Sequence, residues 1–316
     1  MKAILKSVSR SFYLTIRFLP RPLREPVGLA YLLARAADAI ADTPEIPAAS
    51  RLTTLLALAR VISGELEFDA VAQPLRDFAA RQNDRHERRL IENLRSCTDR
   101  LGAMESADRT DIRTVLQTIV RGQEFDLRQF GDQASVASLQ TAAELEEYTY
   151  LVAGCVGDFW TKLGFRHFPA FANRPPNEMS NLGVEYGKGL QLINVLRDTS
   201  ADLQAGRRYL PAEELAASPI AGVFSRWLLK AEEQLTTGID YCSALTSCRV
   251  RFATVLPALI GARTLALLRA AGADAFSRKI KVPREEVRRI LAAGFVAAAS
   301  PNSLRVLFER LLAPPR

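Results

Sequence analysis

Hydrophobic residues recur at helical spacing along most of the 316-residue chain, and this periodicity is the feature that most limits its fold. Convincing strand-like alternation is absent from the sequence. The periodic segments predict helices at approximately Glu25–Asp42, Ala49–Glu65, Arg85–Arg100, Arg109–Phe130, Leu139–Gly164, Asn177–Leu203, Phe224–Leu245, Arg251–Ala271, Arg284–Ala298 and Ser303–Leu312. Short connections with helix breakers, such as Thr43-Pro44 and Val282-Pro283, separate them. Without a low-complexity linker, the sequence predicts a single all-α domain over residues 1–316.

Composition places the chain among globular proteins, with 48% apolar and 24% charged residues. Lys and Arg number 42 against 35 Asp and Glu, a net charge of +7 at pH 7. A positive net charge favours an anionic partner. Three kinds fit: a nucleic acid, an acidic membrane surface and a phosphorylated small molecule. Net charge alone does not choose among these three.

Metal-binding and redox patterns based on cysteine are absent. The four cysteines have no CxxC spacing and only two histidines occur, so neither a zinc site nor a disulfide framework is expected. The chain also lacks a signal-type apolar core and an uninterrupted apolar run of the roughly 20 residues that cross a bilayer. We expect a soluble cytoplasmic protein that is at most peripheral to the inner face of a membrane.

The first informative pattern is a polar seam in an otherwise apolar helix. Residues 28–42 read GLAYLLARAADAIAD, in which Tyr31, Arg35, Asp38 and Asp42 are four, three and four residues apart. At that spacing they form one stripe along a helix whose remaining circumference is apolar. Burying two carboxylates and a guanidinium is costly unless they bind a metal ion or a charged ligand.

A second segment repeats this design. Residues 187–202 read GKGLQLINVLRDTSAD, with one face formed by Gln191, Asn194, Asp198 and Asp202, and with Arg197 beside them. Two Asp-x-x-x-Asp motifs in apolar helices predict two carboxylate pairs that face each other across a cavity. Oxygen ligands without histidine or thiolate favour Mg²⁺ or Mn²⁺, and Mg²⁺ commonly bridges carboxylates to phosphates. Arg35 and Arg197 can bind further phosphate oxygens.

A third helical segment, 147–164, carries Tyr148 together with Gly154 and Gly157. Each glycine inside a helix costs about 1 kcal/mol relative to alanine, so it needs a reason. Close helix packing and room for a long apolar substrate are both adequate reasons, and the sequence leaves both open. A Rossmann site is excluded, because Gly187-Lys188-Gly189 follows no strand and lacks the third glycine.

These motifs occur in the order and spacing of the squalene/phytoene synthase family, and the chain resembles that family from Ser9 to about Val287. The resemblance rests on Ser9-Arg10-Ser11-Phe12, on Tyr31, Arg35 and the first aspartate motif, and on Tyr148 with Val152-Ala153-Gly154 and Val156-Gly157. It rests most firmly on the second aspartate motif, followed by Gly206-Arg207, Tyr209 and Pro211.

The resemblance implies an isoprenoid-synthase helical bundle around a deep apolar cavity. The implied Mg²⁺ ligands are Asp38, Asp42, Asn194, Asp198 and Asp202. The implied substrate-binding residues are Ser9, Arg10, Phe12, Tyr31, Arg35, Val152, Gly157, Gln191 and Arg197, and Tyr148 matches the tyrosine associated with cation handling and proton removal. Ala41 and Ala201 replace carboxylates that many members carry, which leaves auxiliary metal contacts in doubt.

The predicted reaction is the head-to-head condensation of two farnesyl diphosphates to presqualene diphosphate, followed by reduction to squalene with NADPH. The segment 276–287, FSRKIKVPREEV, resembles the basic flap of reductive members, in which Lys279 and Lys281, with Arg10 and Arg35, would contact the cofactor. Phytoene synthase, dehydrosqualene synthase and a presqualene diphosphate synthase remain alternatives without NADPH. A non-catalytic basic module for nucleic acid or anionic membrane is a rival class. The acidic stripes argue against nucleic acid, because carboxylates repel its phosphates.

Overall fold

The computed structural model describes residues 2–9, 12–43, 45–131 and 136–314, and 81% of the structure is helical. The all-α prediction is therefore confirmed. The chain divides into two compact units, Met1–Asp132 and Gln133–Arg316, and each is considered by itself below. The prediction of one domain over residues 1–316 stays a prediction.

The first unit is built around one long buried helix. Its helices are α1 (Lys2–Val8), α2 (Phe12–Phe18), α3 (Arg21–Ala41), α4 (Ala48–Ser63), α5 (Asp69–Arg81), α6 (Arg85–Glu92), α7 (Leu94–Gly102) and α8 (Ser106–Phe130). Helix α3 packs against α4, α6, α7 and α8. Its leucines at 29, 32 and 33 are fully buried. Packing on several sides explains why α3 is apolar over most of its circumference.

The second unit is arranged around α11. Its elements are β1 (Ala137–Ser138), α9 (Ala142–Thr149), a π-helical turn (Tyr150–Gly154), α10 (Cys155–His167), α11 (Pro176–Gln204), β2 (Arg207–Arg208), α12 (Ala212–Ala217), α13 (Ile220–Ala244), α14 (Cys248–Ala271), a 3₁₀ turn (Gly272–Phe276), α15 (Arg284–Ala297) and α16 (Pro301–Leu312). Helix α11 packs against α10, α13 and α14. Strands β1 and β2 pair in parallel, Ala137 with Arg207 and Ser138 with Arg208.

One stretch of the described chain, Cys248–Phe276, is long and apolar enough to cross a membrane by length and composition. However, 78% of its most apolar window is buried inside the protein. The apolar character of α14 is therefore accounted for by its place in the core, where it packs against α11, α13, α15 and α16.

Two predicted helices are interrupted in the structure, so the prediction that each of them is continuous was wrong. The predicted helix Leu139–Gly164 begins only at Ala142, because Thr141 and Glu144 form a capping box, and it contains the π-helical turn. The predicted helix Arg85–Arg100 breaks at Asn93, whose side-chain amide donates to the Arg89 carbonyl at 2.7 Å. The periodicity also missed four helices, α1, α2, α5 and α12.

Candidate active site

The first aspartate motif runs along a half-buried seam of α3 and ends at Asp42, the exposed residue directly after the helix. Tyr31, Arg35 and Asp38 are partly accessible, whereas Leu32, Leu33, Ala36 and Ala37 between them are buried, as the sequence predicted. The Tyr31 hydroxyl donates to the Val8 carbonyl at 3.3 Å. Arg35 forms an ion pair with Glu87 of α6 and lies 3.8 Å from the Asp38 carboxylate. Arg35 is thus held beside the motif by a carboxylate outside it.

The surroundings of Asp38 perturb its carboxyl group strongly. Burial raises its pKa from 3.8 to about 7, and the negative charge of Asp42 adds to the rise. Arg35 and a hydrogen bond from the Gln123 side-chain amide oppose this shift. Although 40% of the Asp38 side chain remains accessible, its surroundings penalise the charged form. A cation between Asp38 and Asp42 would relieve that penalty.

The second motif lies on α11 in the same kind of seam. Gln191, Asn194, Arg197 and Asp198 are partly accessible between buried apolar positions. The Asn194 amide donates to the Gln191 side-chain oxygen at 3.3 Å, which leaves the Asn194 oxygen as an acceptor. Arg197 donates through Nε to Asp198 Oδ1 at 3.2 Å and through Nη2 to Oδ2.

A residue from outside the motif completes the surroundings of Asp198. Lys279 Nζ lies 3.2 Å from Asp198 Oδ1. Burial alone would raise the pKa of Asp198, but the hydrogen bonds and charges of Arg197 and Lys279 outweigh it and hold the pKa below its usual value. Asp38 and Asp198 therefore have opposite electrostatics. The surroundings of Asp38 favour its protonated form, whereas Arg197 and Lys279 stabilise the ionised form of Asp198.

The donors of both motifs fit a hard divalent cation. Within neither unit do three or more His, Cys, Asp or Glu side chains gather into a metal-ligand cluster, as far as the described residues show. What each helix supplies instead is a pair of carboxylates one turn apart, and α11 adds the Asn194 oxygen. Burial is the main cause of the raised Asp38 pKa, but the added repulsion from Asp42 and the two cations beside Asp198 both indicate places where positive charge is stabilised.

Tyr148 stands at the end of α9 and is buried. Its ring stacks on Tyr209 with centroids 5.0 Å apart and planes at 28°. Tyr209 is positioned by the small sheet, because Arg208 Nε donates to the Ser138 hydroxyl at 2.6 Å and Leu139 N–H donates to the Arg208 carbonyl at 3.1 Å. Gly206 makes the turn before β2 with φ +76°, a conformation that favours glycine.

The glycines after Tyr148 are explained by helix packing. A Cβ on Gly157 would lie 1.8 Å from the Gly183 carbonyl oxygen, so the backbones of α10 and α11 touch there. Likewise, a Cβ on Gly187 would lie 2.2 Å from the Ala153 carbonyl oxygen in the π-helical turn. Of the two reasons left open by the sequence, close packing holds for Gly157. Its contact with substrate, and that of Val152 within the π-helical turn, stay predictions.

The basic flap lies beside a small cavity. The cavity has a volume of about 270 Å³ and is lined by the end of α14 and by Arg278, Lys279, Ile280 and Lys281. Ile280 is buried and anchors the flap, whereas Lys281 is exposed. Of the remaining predicted residues, Ser9 is buried and donates to the Leu5 carbonyl. Arg10 and the side chain of Phe12 lie outside the described part of the chain.

Three contributors escaped the sequence analysis, namely Glu87, Gln123 and the pairing of Lys279 with Asp198. Gln123 carried a usable signal, because it is a polar residue on the buried face of α8 between Ile119, Val120 and Leu127. Glu87 carried none, since it begins an ordinary charged helix with its N-cap at Asp84.

Comparison with solved structures gives the class of fold. TcSQS in complex with the ligand BPH1237 is similar with a TM-score of 0.73 and 21% identity, covering 98% of this chain and 88% of that one. The likeness shows the fold alone, which is the all-α fold of squalene synthases.

Sequence comparison then gives the family. The model of the squalene/phytoene synthase family matches residues 5–286, and the chain belongs to that family. This is a family of prenyl transferases whose substrates are isoprenyl diphosphates.

Two curated relatives represent different branches. The bifunctional lycopene cyclase/phytoene synthase of Phaeosphaeria nodorum is 28% identical over 217 residues, which is 68% of this chain and 34% of that protein. The squalene synthase of Saccharomyces cerevisiae is 27% identical over 211 residues, 66% of this chain and 44% of that protein. The chain thus spans less than half the length of either relative.

Proposed function

We propose that this protein joins two farnesyl diphosphates head to head to form presqualene diphosphate and reduces that intermediate to squalene with NADPH. The observation that carries the proposal is the recurrence of one design in α3 and α11. Each helix carries an Asp-x-x-x-Asp pair with an arginine beside it, and three of the four carboxylates are partly accessible whereas Asp42, directly after α3, is exposed. Farnesyl diphosphate supplies both the diphosphate for such a site and a long apolar chain for the surrounding core.

The metal ligands in this proposal are Asp38, Asp42, Asn194, Asp198 and Asp202. Bound there, Mg²⁺ or Mn²⁺ would supply Lewis-acid stabilisation of the departing diphosphate. Arg35 and Arg197 would add bidentate hydrogen bonds to phosphate oxygens. In the structure Arg35 pairs with Glu87 and Arg197 pairs with Asp198. Each arginine would exchange part of that pairing for the phosphate.

Loss of diphosphate from the first substrate leaves an allylic cation. The C2–C3 double bond of the second substrate attacks it, and loss of a proton closes the cyclopropane of presqualene diphosphate. The stacked rings of Tyr148 and Tyr209 have electron-rich faces that would stabilise a nearby cation, and the Tyr148 hydroxyl would assist proton removal. Water has to be kept away from such a cation, and the apolar residues beside each motif are buried within their own unit.

The reductive half would use the flap. A second loss of diphosphate gives a cation that takes a hydride from NADPH. Lys279 and Lys281 would bind the cofactor phosphates, with help from Arg10 and Arg35. The cavity of about 270 Å³ beside the flap, which Arg278, Lys279 and Lys281 line, has the size and charge for a phosphate and its ribose.

Phytoene or dehydrosqualene synthesis is the second candidate, and the 28% identity to a phytoene synthase-bearing protein favours it. An enzyme that stops at presqualene diphosphate is a third outcome. All of these use the same aspartates and none requires NADPH.

One product assay separates the candidates. Purified protein is incubated with Mg²⁺ and either farnesyl or geranylgeranyl diphosphate, with and without NADPH. We expect squalene from farnesyl diphosphate with NADPH and presqualene diphosphate without it. Changing both Lys279 and Lys281 to Ala should slow the reduction more than the condensation. Phytoene, or dehydrosqualene formed regardless of NADPH, would show that the reductive assignment is wrong.

Site variants test the metal assignment in the same assay. Asp38→Asn and Asp198→Asn should each abolish turnover while helical circular dichroism is retained. The exposed Asp77→Asn on α5 is the matched control and should retain full activity. Near wild-type turnover of both site variants at limiting Mg²⁺ would refute the assignment.

A further inference from the structure

The flap reaches the second aspartate motif through one side chain. Lys279 Nζ lies 3.2 Å from Asp198 Oδ1, and the same oxygen accepts from Arg197 Nε at 3.2 Å. Asp198 Oδ2 accepts from Arg197 Nη2. Both oxygens of this carboxylate are therefore engaged by side-chain cations. A divalent cation that binds Oδ1, whose two lone pairs are both occupied, has to displace one of these cations.

We infer that Lys279 is a tethered cation that holds the place of the metal ion at Asp198 and is exchanged for it. The inference rests on the proposed function, because it takes Asp198 as a metal ligand. Of the two cations, Lys279 is the one free to leave. Arg197 is the adjacent residue on the same helix, whereas Lys279 comes from the flap and half of its side chain is accessible to solvent.

The structure of the flap allows the Lys279 side chain to move while the neighbouring residues stay in place. The Arg278 backbone N–H donates to the Asp274 carbonyl at 3.0 Å and Ile280 is buried, so the backbone is held on both sides of Lys279. The Lys279 side chain can therefore swing away from Asp198 without unfolding the segment. Once released, the same ammonium group becomes available to an anionic group of substrate or cofactor, which links metal loading to the state of the flap.

The exchange predicts a change in metal affinity that can be measured without turnover. Mn²⁺ binding is followed by electron paramagnetic resonance in the presence of inorganic diphosphate. Replacing Lys279 by Met removes the competing cation, and Mn²⁺ should bind about two- to fivefold more tightly, the range expected for one partly exposed ion pair. Lys279→Arg keeps the charge and should bind Mn²⁺ as the wild type does.

The control is Arg284→Met, which removes an equal charge from an exposed side chain five residues away. Its Mn²⁺ affinity should be unchanged, and the gain in Lys279→Met should shrink at high salt, where ion pairs are screened. Equal gains in both variants would indicate a general charge effect and overturn the inference. Weaker Mn²⁺ binding by Lys279→Met would identify Lys279 as a diphosphate ligand and overturn it too.

Asp198→Asn distinguishes failure of the inference from failure of the proposed function. If Asp198→Asn weakens Mn²⁺ binding while Lys279→Met leaves it unchanged, the metal site stands and only the exchange is refuted. If Asp198→Asn binds Mn²⁺ as tightly as the wild type, Asp198 is not a metal ligand and the proposed function fails with the inference.

Discussion

Single residues determine the charge state of the two motifs before any metal binds. In the folded protein the Asp38 pKa is raised from 3.8 to about 7, chiefly by burial and then by Asp42. Between these pH values the unfolded chain releases a proton that the folded protein retains. Asp38 therefore lowers stability progressively as the pH rises from about 4 to 7, and the cost stays constant above that.

Replacing Asp38 by Asn should remove this cost. In EDTA, the melting temperature of Asp38→Asn should equal that of the wild type near pH 4 and exceed it by about 2 °C above pH 7, a small gain because solvent screens part of the effect. Asp198→Asn should behave oppositely. The lowered pKa of Asp198 contributes stability above the unfolded value that is lost in acid, so its variant should melt lower at neutral pH. The same sign for both variants would contradict these charge states.

Gln123 provides a second test at the residue scale. Its amide donates to Asp38, while its own Oε1 is buried without a hydrogen-bond partner among the described residues. Gln123→Met removes one bond to the ionised carboxylate, worth about 1 kcal/mol, so half-maximal turnover should need about fivefold more Mg²⁺. Melting temperature should change little, since the unpaired oxygen is removed as well. Gln117→Met, exposed on the same helix, is the control and should leave the Mg²⁺ dependence unaltered.

The sequence was sufficient for the aspartates and arginines of each motif, because they lie within one helix and their spacing reports directly on a shared face. It was insufficient for Glu87, Gln123 and Lys279. These meet the motifs across 52, 85 and 81 residues of chain, and only tertiary packing decides such contacts. The pKa difference between Asp38 and Asp198 depends on those partners and could not be read from two similar motifs.

At the scale of elements, the approach of α10 to α11 depends on glycine. A methyl group on Gly157 would meet the backbone of Gly183, which cannot rotate away as a side chain can. Gly157→Ala should therefore lower the free energy of unfolding by about 3 kcal/mol in urea titrations. Gly222→Ala on α13 meets no atom within 4 Å and should be neutral or stabilise by up to about 1 kcal/mol. A neutral Gly157→Ala would contradict the close backbone contact.

Periodicity was a sound guide to the existence of the long helices and a poor guide to interruptions. The segment 139–164 has continuous helical spacing, yet it begins with three non-helical residues and holds a capping box and a π-helical turn before α10. A π turn inserts one residue into the helical repeat and leaves hydrophobicity almost unchanged, so the pattern hardly registers it. Its place directly after Tyr148 agrees with the frequent occurrence of such turns at functional sites.

For the whole molecule, the net charge of +7, together with the water-insoluble product of the proposed reaction, leads us to expect reversible association with an anionic membrane. The second unit offers a surface suited to it at the end of α15. Phe295 and Val296 are 60% and 73% exposed, and Arg288 and Arg289 are exposed on the preceding turns of the same helix. Apolar side chains that can enter a bilayer, flanked by arginines for its phosphates, match the chemistry of an anionic lipid surface.

We therefore expect the protein to purify without detergent and to float with vesicles containing acidic phospholipid at low salt, but not with neutral vesicles. Changing Phe295 and Val296 together to Ser should reduce flotation several-fold while the condensation rate in solution is unchanged. Leu229→Ser on α13, where the leucine is 58% exposed, removes a comparable apolar group and should not affect flotation. Equal losses in both variants would indicate nonspecific hydrophobic adsorption, and binding that persists at high salt would contradict the electrostatic contribution of the arginines.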